Sequence, residues 1–287
     1  MMMFFAPPIT WAMAEMADQP AVLALTNSTG RTHTHLDWRP VEDWLGSQPF
    51  LLAKRGKRVV GALACPPDPP HTAWVRLFAA STGEAPEKVW NLLWPRTWEM
   101  LQSARVKIVA GMSLDPWMKK LYQIAGFTYI LDVVVLARSR RPPAPGMTPG
   151  PARIRRAHLR DYEAIIAADL AAFAPPWQMS PPVIRTAIAQ AEYLTVAEVG
   201  GEVVGYQLTT PAQEGGHLAR LAVLLHWQGQ GIGQALIADL TAYYDQRGAR
   251  TLTVNTQNTN TASLAVYRRA GFELNGTRFP VLQLTLG

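Results

Sequence analysis

Cysteine is nearly absent from this sequence. Cys65 stands alone, so neither an internal disulfide nor a cysteine-rich metal site can form, and no metal is expected. A lone thiol is more often a small buried hydrophobe than a nucleophile, and Cys65 is expected to be one. Charge is sparse, at 17% of residues against 48% hydrophobic, and so large a hydrophobic fraction excludes a wholly disordered chain. No apolar run reaches the ~20 residues needed to cross a bilayer, so no membrane span is expected. The opening MMMFFAPPITW lacks the basic start of a secretory signal and is interrupted by Pro7 and Pro8; a cytoplasmic, reducing location is expected. Lysine is scarce and lopsided, all six falling between Lys54 and Lys120. The 27 basic and 21 acidic residues leave a net charge of +6, which suits an anionic ligand. There is no dense basic run or aromatic interleaving, so nucleic acid is not an expected partner.

What is present reads twice. The 287 residues leave room for two domains of ~150 residues. Arg138 to Pro151 (RSRRPPAPGMTPGP) is rich in Pro and Gly and has no hydrophobic period, as a linker would. On either side of it the same fragments recur in order: Val59-Val60-Gly61 as Val203-Val204-Gly205, Arg76-Leu77 as Arg220-Leu221, Ala104-Arg105 as Ala249-Arg250, and Tyr122…Ala125-Gly126-Phe127 as Tyr267…Ala270-Gly271-Phe272. Collinear recurrence of this kind indicates two copies of one fold, over residues 1–137 and 152–287 with the linker 138–151 between. In the second copy, Ala152–Arg156 reads as a strand and Leu159–Phe173 as a helix, with Ile165, Ile166 and Leu170 on one face. Tyr193–Val199 and Glu202–Thr209 read as a hairpin turned by Gly200-Gly201. The strand His217–Leu225, the helix Gly233–Gln246, the strand Thr251–Asn255, the helix Thr261–Ala270 and the strand Arg278–Leu286 follow. Hairpins early and helices between strands later imply a mixed, mostly antiparallel sheet flanked by helices, of α/β (α+β) class.

Two segments carry chemistry. Gln228-Gly229-Gln230-Gly231-Ile232-Gly233-Gln234 connects a strand to a helix through alternate glycines. Such a turn aims successive backbone N–H groups into one concavity at a helix N-terminus, which favours a phosphate or pyrophosphate; the plainer alternative is a tight connection with no ligand. A dinucleotide fold would place this turn after its first strand, and a Walker loop would need Gly-Lys-Ser/Thr. The second segment is Asn258-Thr-Asn260-Thr-Ala-Ser263 through Tyr267 to Gly271-Phe272. Asn260 or Thr261 can cap a helix, Gly271 can end it, and Tyr267 is either a packed aromatic or an acid.

Together these segments resemble the GNAT superfamily of acyl-CoA-dependent N-acetyltransferases. That family's Gln/Arg-x-x-Gly-x-Gly/Ala loop stands as Gln228…Gly231-Ile232-Gly233, its apolar-Ala-Val strand as Leu221-Ala222-Val223, and its Asn…Tyr-x-x-x-Gly-Phe motif as Asn260…Tyr267…Gly271-Phe272. Leu225 stands where the family often has proline. The resemblance covers residues 153–287 and implies two tandem domains of that fold, with acetyl-CoA as acyl donor. The acceptor would be a small-molecule amine, a peptide N-terminus or a lysine, and a homo-oligomer is compatible with it. It assigns the pyrophosphate to the backbone of Gln228–Gln234, the pantetheine arm to Ala222, Val223, Leu224 and Asn260, the oxyanion to the Val223 N–H and general acid catalysis to Tyr267, and it counts Ser263 and Tyr267 among the cofactor-binding residues. The first copy has Ser81-Thr-Gly-Glu84-Ala-Pro86-Glu87-Lys88 in place of the loop. Its carboxylates and proline oppose a polyphosphate, although Lys88 could attract one, so this copy is expected to be degenerate, as in mycothiol synthase and other two-domain relatives.

The general base is less plain. Relatives often carry a glutamate where this chain has Asn255, which cannot accept a proton. His217 and Glu214 are the replacements, and the reference pKa of histidine, ~6.5, favours His217, unless it is simply a histidine at a strand edge. His226 and Trp227 adjoin the loop and can pack beneath it, while Glu198 can face cleft or solvent. Trp90, Trp94 and Trp98 are spaced as a helix face packed on its sheet. Trp177 lies in a Pro-rich loop that could shape an acceptor pocket. An acyl-CoA-binding or regulatory protein without turnover is the competing function.

Overall fold

The computed structural model describes residues 7–28, 30–139 and 151–286. The chain forms two compact units, unit 1 from residues 1–130 and 280–287, and unit 2 from 131–279. This differs from the division expected at 137 and 152. Arg138 and Ser139, expected to open the linker, end a strand instead, and residues 140–150 lie outside the described residues.

Unit 1 contains β1 (Ile9–Met13), α1 (Gln19–Thr26), β2 (Arg31–Thr34), β3 (Phe50–Arg55), β4 (Arg58–Ala64), β5 (Thr72–Trp74), β6 (Leu77–Ala80), α2 (Pro86–Ser103), β7 (Ile108–Met112) and α3 (Pro116–Ile124). One sheet has the order β1-β3-β4-β6-β2. Helix α2 starts at Pro86, whose missing N–H costs nothing at a first position. Its tryptophan stripe packs inward: Trp90 and Trp94 stack with centroids 5.1 Å apart, within a core that includes Leu51, Phe78, Tyr122 and the fully buried Cys65. Burial pushes the Cys65 thiol pKa up to about 12, so it stays protonated and inert.

Unit 2 continues with most of β8 (Thr128–Ser139), then β9 (Arg153–Arg156), α4 (Tyr162–Ala172), α5 (Pro181–Ala189), β10 (Tyr193–Val199), β11 (Glu202–Ala212), β12 (Gly215–Val223), α6 (Ile232–Gln246), β13 (Thr251–Gln257), α7 (Thr261–Arg269) and the first half of β14 (Glu273–Thr285). Its strands follow the order β8-β13-β12-β11-β10-β9. The hairpin β10–β11 turns through Gly200 and Gly201 at φ +59° and +88°, left-handed values that glycine adopts without a Cβ clash. Helix α5 was not expected from its Pro-rich sequence; Ser180 precedes it, and Pro181 and Pro182 occupy first-turn positions that lack N–H acceptors anyway.

Each half of the sequence gives its last strand segment to the other half's unit. Residues 133–139 of β8 pair with β13, and Val281–Thr285 of β14 pair with β7. Within unit 2, Arg138 is buried and clamps both carboxylate oxygens of Asp245 at 2.9 Å, while its Nε donates to the Ala270 carbonyl at the end of α7. No helix among the described residues is long and apolar enough to cross a membrane.

Candidate active site

The site begins with a fork in the sheet of unit 2. Strands β12 and β13 pair in parallel only from Gly215↔Thr251 to Leu218↔Val254, although β12 runs on to Val223 and β13 to Gln257. At the crotch β12 bulges: Leu208 faces Arg220 and Thr209 faces Leu218, leaving Ala219 without a partner. The bulge resets the alternation of faces. Leu218 packs with Ile237 and Leu240 of α6, so its neighbour His217 points to the other face, and Arg220 reaches Asp169 of α4 on that same face.

The register also decides which backbone groups line the fork. The Leu224 N–H donates to the Val204 carbonyl at 2.9 Å, so by strand alternation Leu224, Ala222 and Arg220 turn their backbone groups to β11. Leu221 and Val223 turn theirs into the fork. The Val223 carbonyl there accepts from the Gln228 side chain at 2.9 Å. The expectation that Ala222 and Leu224 offer backbone bonds to a ligand is at odds with this register: β11 uses theirs, and Leu221 turns its N–H into the fork beside that of Val223.

At the mouth of the fork the glycine-rich turn enters α6. Gly229 and Gly231 have φ of +76° and +80°, and the first hydrogen bond of the helix runs from the Ala235 N–H to the Gly231 carbonyl. The Gln228 N–H is taken by the Leu225 carbonyl, which removes Gln228 from the expected backbone cradle and leaves its side chain as a brace on Val223. Gln230 closes the turn over Gln228-Gly229, and among the described residues no backbone acceptor takes the N–H groups of Gly229, Gly231, Ile232, Gly233 or Gln234. A Cβ at Gly229 or Gly233 would meet nothing within 4 Å. Five donors at a helix N-terminus are thus left without a backbone acceptor, the arrangement that suits a polyphosphate. Trp227 packs beside Ile232 and Leu236 beneath the turn.

Across the fork, Asn260 caps α7, its Oδ1 accepting from the Ser263 N–H at 3.1 Å; the carboxamide's remaining contact is to Gln257. Tyr267 lies on the same helix, buried at 4% exposure. Burial raises its pKa well above the usual tyrosine value, with the Ser263 hydroxyl acting in the opposite direction, so its hydroxyl holds its proton at neutral pH.

His217 stands one residue before the crotch, half-buried, its Nδ1 2.8 Å from the Thr253 hydroxyl. Burial lowers its pKa, keeping it neutral. Along β12, four residues separate it from Leu221, about 13 Å at ~3.3 Å per residue, and from Val223 the separation is about 20 Å. It lies near the crotch without touching the other expected residues. Glu214 lies before β12 begins, bonded to the Arg250 and Thr251 N–H groups, and is not brought to the fork. Asn255 is the first residue of β13 past the pairing with β12. Glu198 is tied to Arg155 at 2.7 Å. Among the described residues no cluster of His, Cys, Asp and Glu could hold a metal ion.

One buried network was not foreseen. Asp169, fully buried, accepts from Arg220 Nε at 2.7 Å and Nη2 at 2.9 Å and from the Tyr206 hydroxyl at 2.6 Å. Arg220 also holds the Trp177 carbonyl at 2.9 Å and lies over the Phe173 ring at 3.6 Å. The signal was present as one charge in each of two apolar segments, AIIAADLAA and HLARLAV, because buried charges are seldom left unpaired.

Comparison with known proteins bears on the family and the fold. The model of the acetyltransferase (GNAT) family matches residues 160–272. An uncharacterized N-acetyltransferase of Methanocaldococcus jannaschii is 34% identical over 91 residues, 32% of this chain and 58% of the relative, so the match spans little more than half of that protein. An N-alpha-acetyltransferase of Sulfurisphaera tokodaii is 30% identical over 135 residues, covering 42% of this chain and 80% of the relative. A solved tandem GNAT protein from the clavulanic acid biosynthesis pathway superposes with a TM-score of 0.66 at 17% identity, covering 98% of this chain and 99% of the other.

Proposed function

Because the chain belongs to the GNAT acetyltransferase family, we propose that unit 2 moves an acetyl group from acetyl-CoA to a primary amine by direct attack while both are bound. The observation that carries this reading is the set of five N–H groups without a backbone acceptor at Gly229 and Gly231–Gln234, beside a fork into which Leu221 and Val223 turn theirs. The open space at Gly233 fits a diphosphate that a side chain there would displace. When bound, acetyl-CoA supplies an activated acyl group and a thiolate leaving group.

The roles of the chain's own residues follow from position. Gly229 and Gly231–Gln234 hold the diphosphate through backbone donors and the α6 dipole. Val223 and Leu221 direct their N–H groups at the pantetheine arm and at the oxygen that gains charge as the amine attacks. Leu221 is the nearer of the two to His217, which favours it for the oxyanion. Neutral His217 accepts the proton of the amine through a chain of several waters, since about 13 Å separates it from Leu221 along β12. Tyr267, kept protonated by burial, donates to the departing sulfur, and Asn260 and Ser263 fix the helix that carries it. The acceptor is a small amine, a lysine or a peptide α-amine; the name of the Sulfurisphaera relative favours the last.

A non-catalytic acyl-CoA binder is the second reading, favoured by Asn255 standing where relatives often carry a carboxylate. Acetyl-CoA consumption against a panel of amines and peptides separates the two. Thiol release that depends on acceptor supports the transferase, whereas tight CoA binding without turnover on any acceptor supports the binder.

A further inference from the structure

Unit 1 carries a fork of its own, and a strand lies in it. Strand β5 pairs with β7 in parallel, from Thr72↔Ile108 to Trp74↔Ala110, as the start of β12 pairs with β13. Strand β6 then follows β4 with Gly61 opposite Ala80 and Ala62 opposite Ala79, the register in which Gly205 faces Val223 and Tyr206 faces Ala222. By register, Phe78 and Ala80 are the counterparts of Leu221 and Val223, one residue out of step with the sequence match of Arg76-Leu77 to Arg220-Leu221. The Ser81 N–H donates to the Val60 carbonyl, so by alternation Phe78 and Ala80 turn their backbone groups away from β4 and into the fork.

There they meet β2. Its ladder to β6 runs Arg31↔Ala80, Thr32↔Ala79, His33↔Phe78 and Thr34↔Leu77, and the His35 N–H extends it to the Arg76 carbonyl at 2.9 Å. At the entrance, a Cβ on Gly30 would stand 2.2 Å from the Ala80 carbonyl oxygen, so only glycine fits the approach. The His33 Nε2 lies 3.2 Å from the hydroxyl of Tyr122, the counterpart of Tyr267. The loop position offers no cradle: Pro86 has no N–H, the Lys88 N–H is taken by the Ala85 carbonyl, and Glu84 is paired with Arg55 at 2.7 Å.

We infer that β2 is a built-in occupant of the unit 1 cleft. Its backbone takes the place along β6 that the pantetheine arm takes along β12, and His33 stands against the tyrosine hydroxyl where the thioester end would be. This rests on the reading of the unit 2 fork as an acyl-CoA cleft. The consequence is one acyl-CoA per chain, with unit 1 closed to the thioester by its own sequence.

Calorimetric titration of the full chain with CoA, paired with amide hydrogen exchange, tests this. The expected result is one CoA per wild-type chain, and for Gly233→Glu at most one, bound on the order of 100-fold or more weakly. Exchange at Phe78 and Ala80 is expected to be slow without ligand and unchanged by saturating CoA, while residues 221–234 gain protection. Two CoA per chain or CoA-dependent slowing at Phe78 and Ala80 would overturn the inference, whereas undiminished affinity in Gly233→Glu would count against the reading of unit 2. No CoA binding by the wild type would instead overturn the reading of unit 2. His33→Pro, which removes the N–H facing Phe78, is expected to speed exchange at Phe78 and Ala80 at least tenfold with CoA affinity unchanged; unaltered exchange would count against the pairing.

Discussion

Gly233 occupies the second position of α6 with nothing within 4 Å of where a Cβ would stand, so the fold tolerates a side chain there that a bound diphosphate would not. Gly233→Glu is therefore predicted to weaken CoA binding on the order of 100-fold or more, about 2.7 kcal/mol, at nearly unchanged melting temperature; equal affinity by calorimetry would remove the cradle. Gly231 is the less clean probe, since its φ of +80° adds backbone strain to any substitution. Tyr267→Phe is predicted to lower kcat roughly 100-fold, within the range for general acids, with CoA affinity preserved; an unchanged kcat would leave Tyr267 as a packed aromatic. For His217 the working form is neutral and burial lowers its pKa below the usual 6.5. Activity should therefore persist below pH 6.5 and fall only on further acidification, and His217→Gln should lose that limb of the kcat/KM profile. An acid limb unmoved in that variant would place the base elsewhere. The sequence made these residues legible through their motifs, but not that Leu221, rather than Ala222 or Leu224, presents its N–H to the fork. A period-2 strand can slide by one residue without any change in composition.

At the scale of elements, the hairpin β10–β11 and the helices α6 and α7 were readable because each carries its own punctuation. Gly200-Gly201 turns the first, Gly231 starts α6, and Asn260 with Gly271 bounds α7. Helix α5 was not readable, because its prolines look like loop until the chain around Ser180 is seen to start a helix. The bulge at Ala219 left no mark in the sequence either. It is what puts His217 and Arg220 on one face although three positions apart, and Arg220 then anchors that face to Asp169. The Arg138–Asp245 pair joins β8 to the ends of α6 and α7. Arg138→Leu leaves the Asp245 carboxylate and the Ala270 carbonyl without that partner, in a site where Arg138 is 4% exposed. A loss of about 3 kcal/mol is predicted, as for other broken buried pairs, read as a lower urea midpoint. An unfolding free energy within ~0.5 kcal/mol of wild type, the scatter of ordinary surface changes, would show the pair to be dispensable.

For the whole molecule, two buried histidines in unit 1 tie stability to pH. Burial lowers the His33 pKa from 6.5 to about 4 and holds His35 well below 6.5. Both are depressed in the folded state, so the unfolded chain binds their protons first. Their contribution is whole above the unfolded value near 6.5 and drains away as pH falls through it, for His33 until about pH 4. The His33 shift alone corresponds to roughly 3 kcal/mol. The melting temperature is predicted to drop across that window, with a shallower slope in His33→Gln; identical slopes would assign the acid sensitivity to other groups. By itself the sequence determined the fold class and pointed to a repeat and to the glycine-rich turn, because repeats, periodicity and glycine placement are local properties written residue by residue. Only the tertiary structure decided that each half lends its last strand to the other's unit, that β2 lies in the first fork, and that the second fork stands open. Those outcomes depend on which strand edges meet, and backbone hydrogen bonding between distant strands is blind to the side chains in which a sequence is spelled.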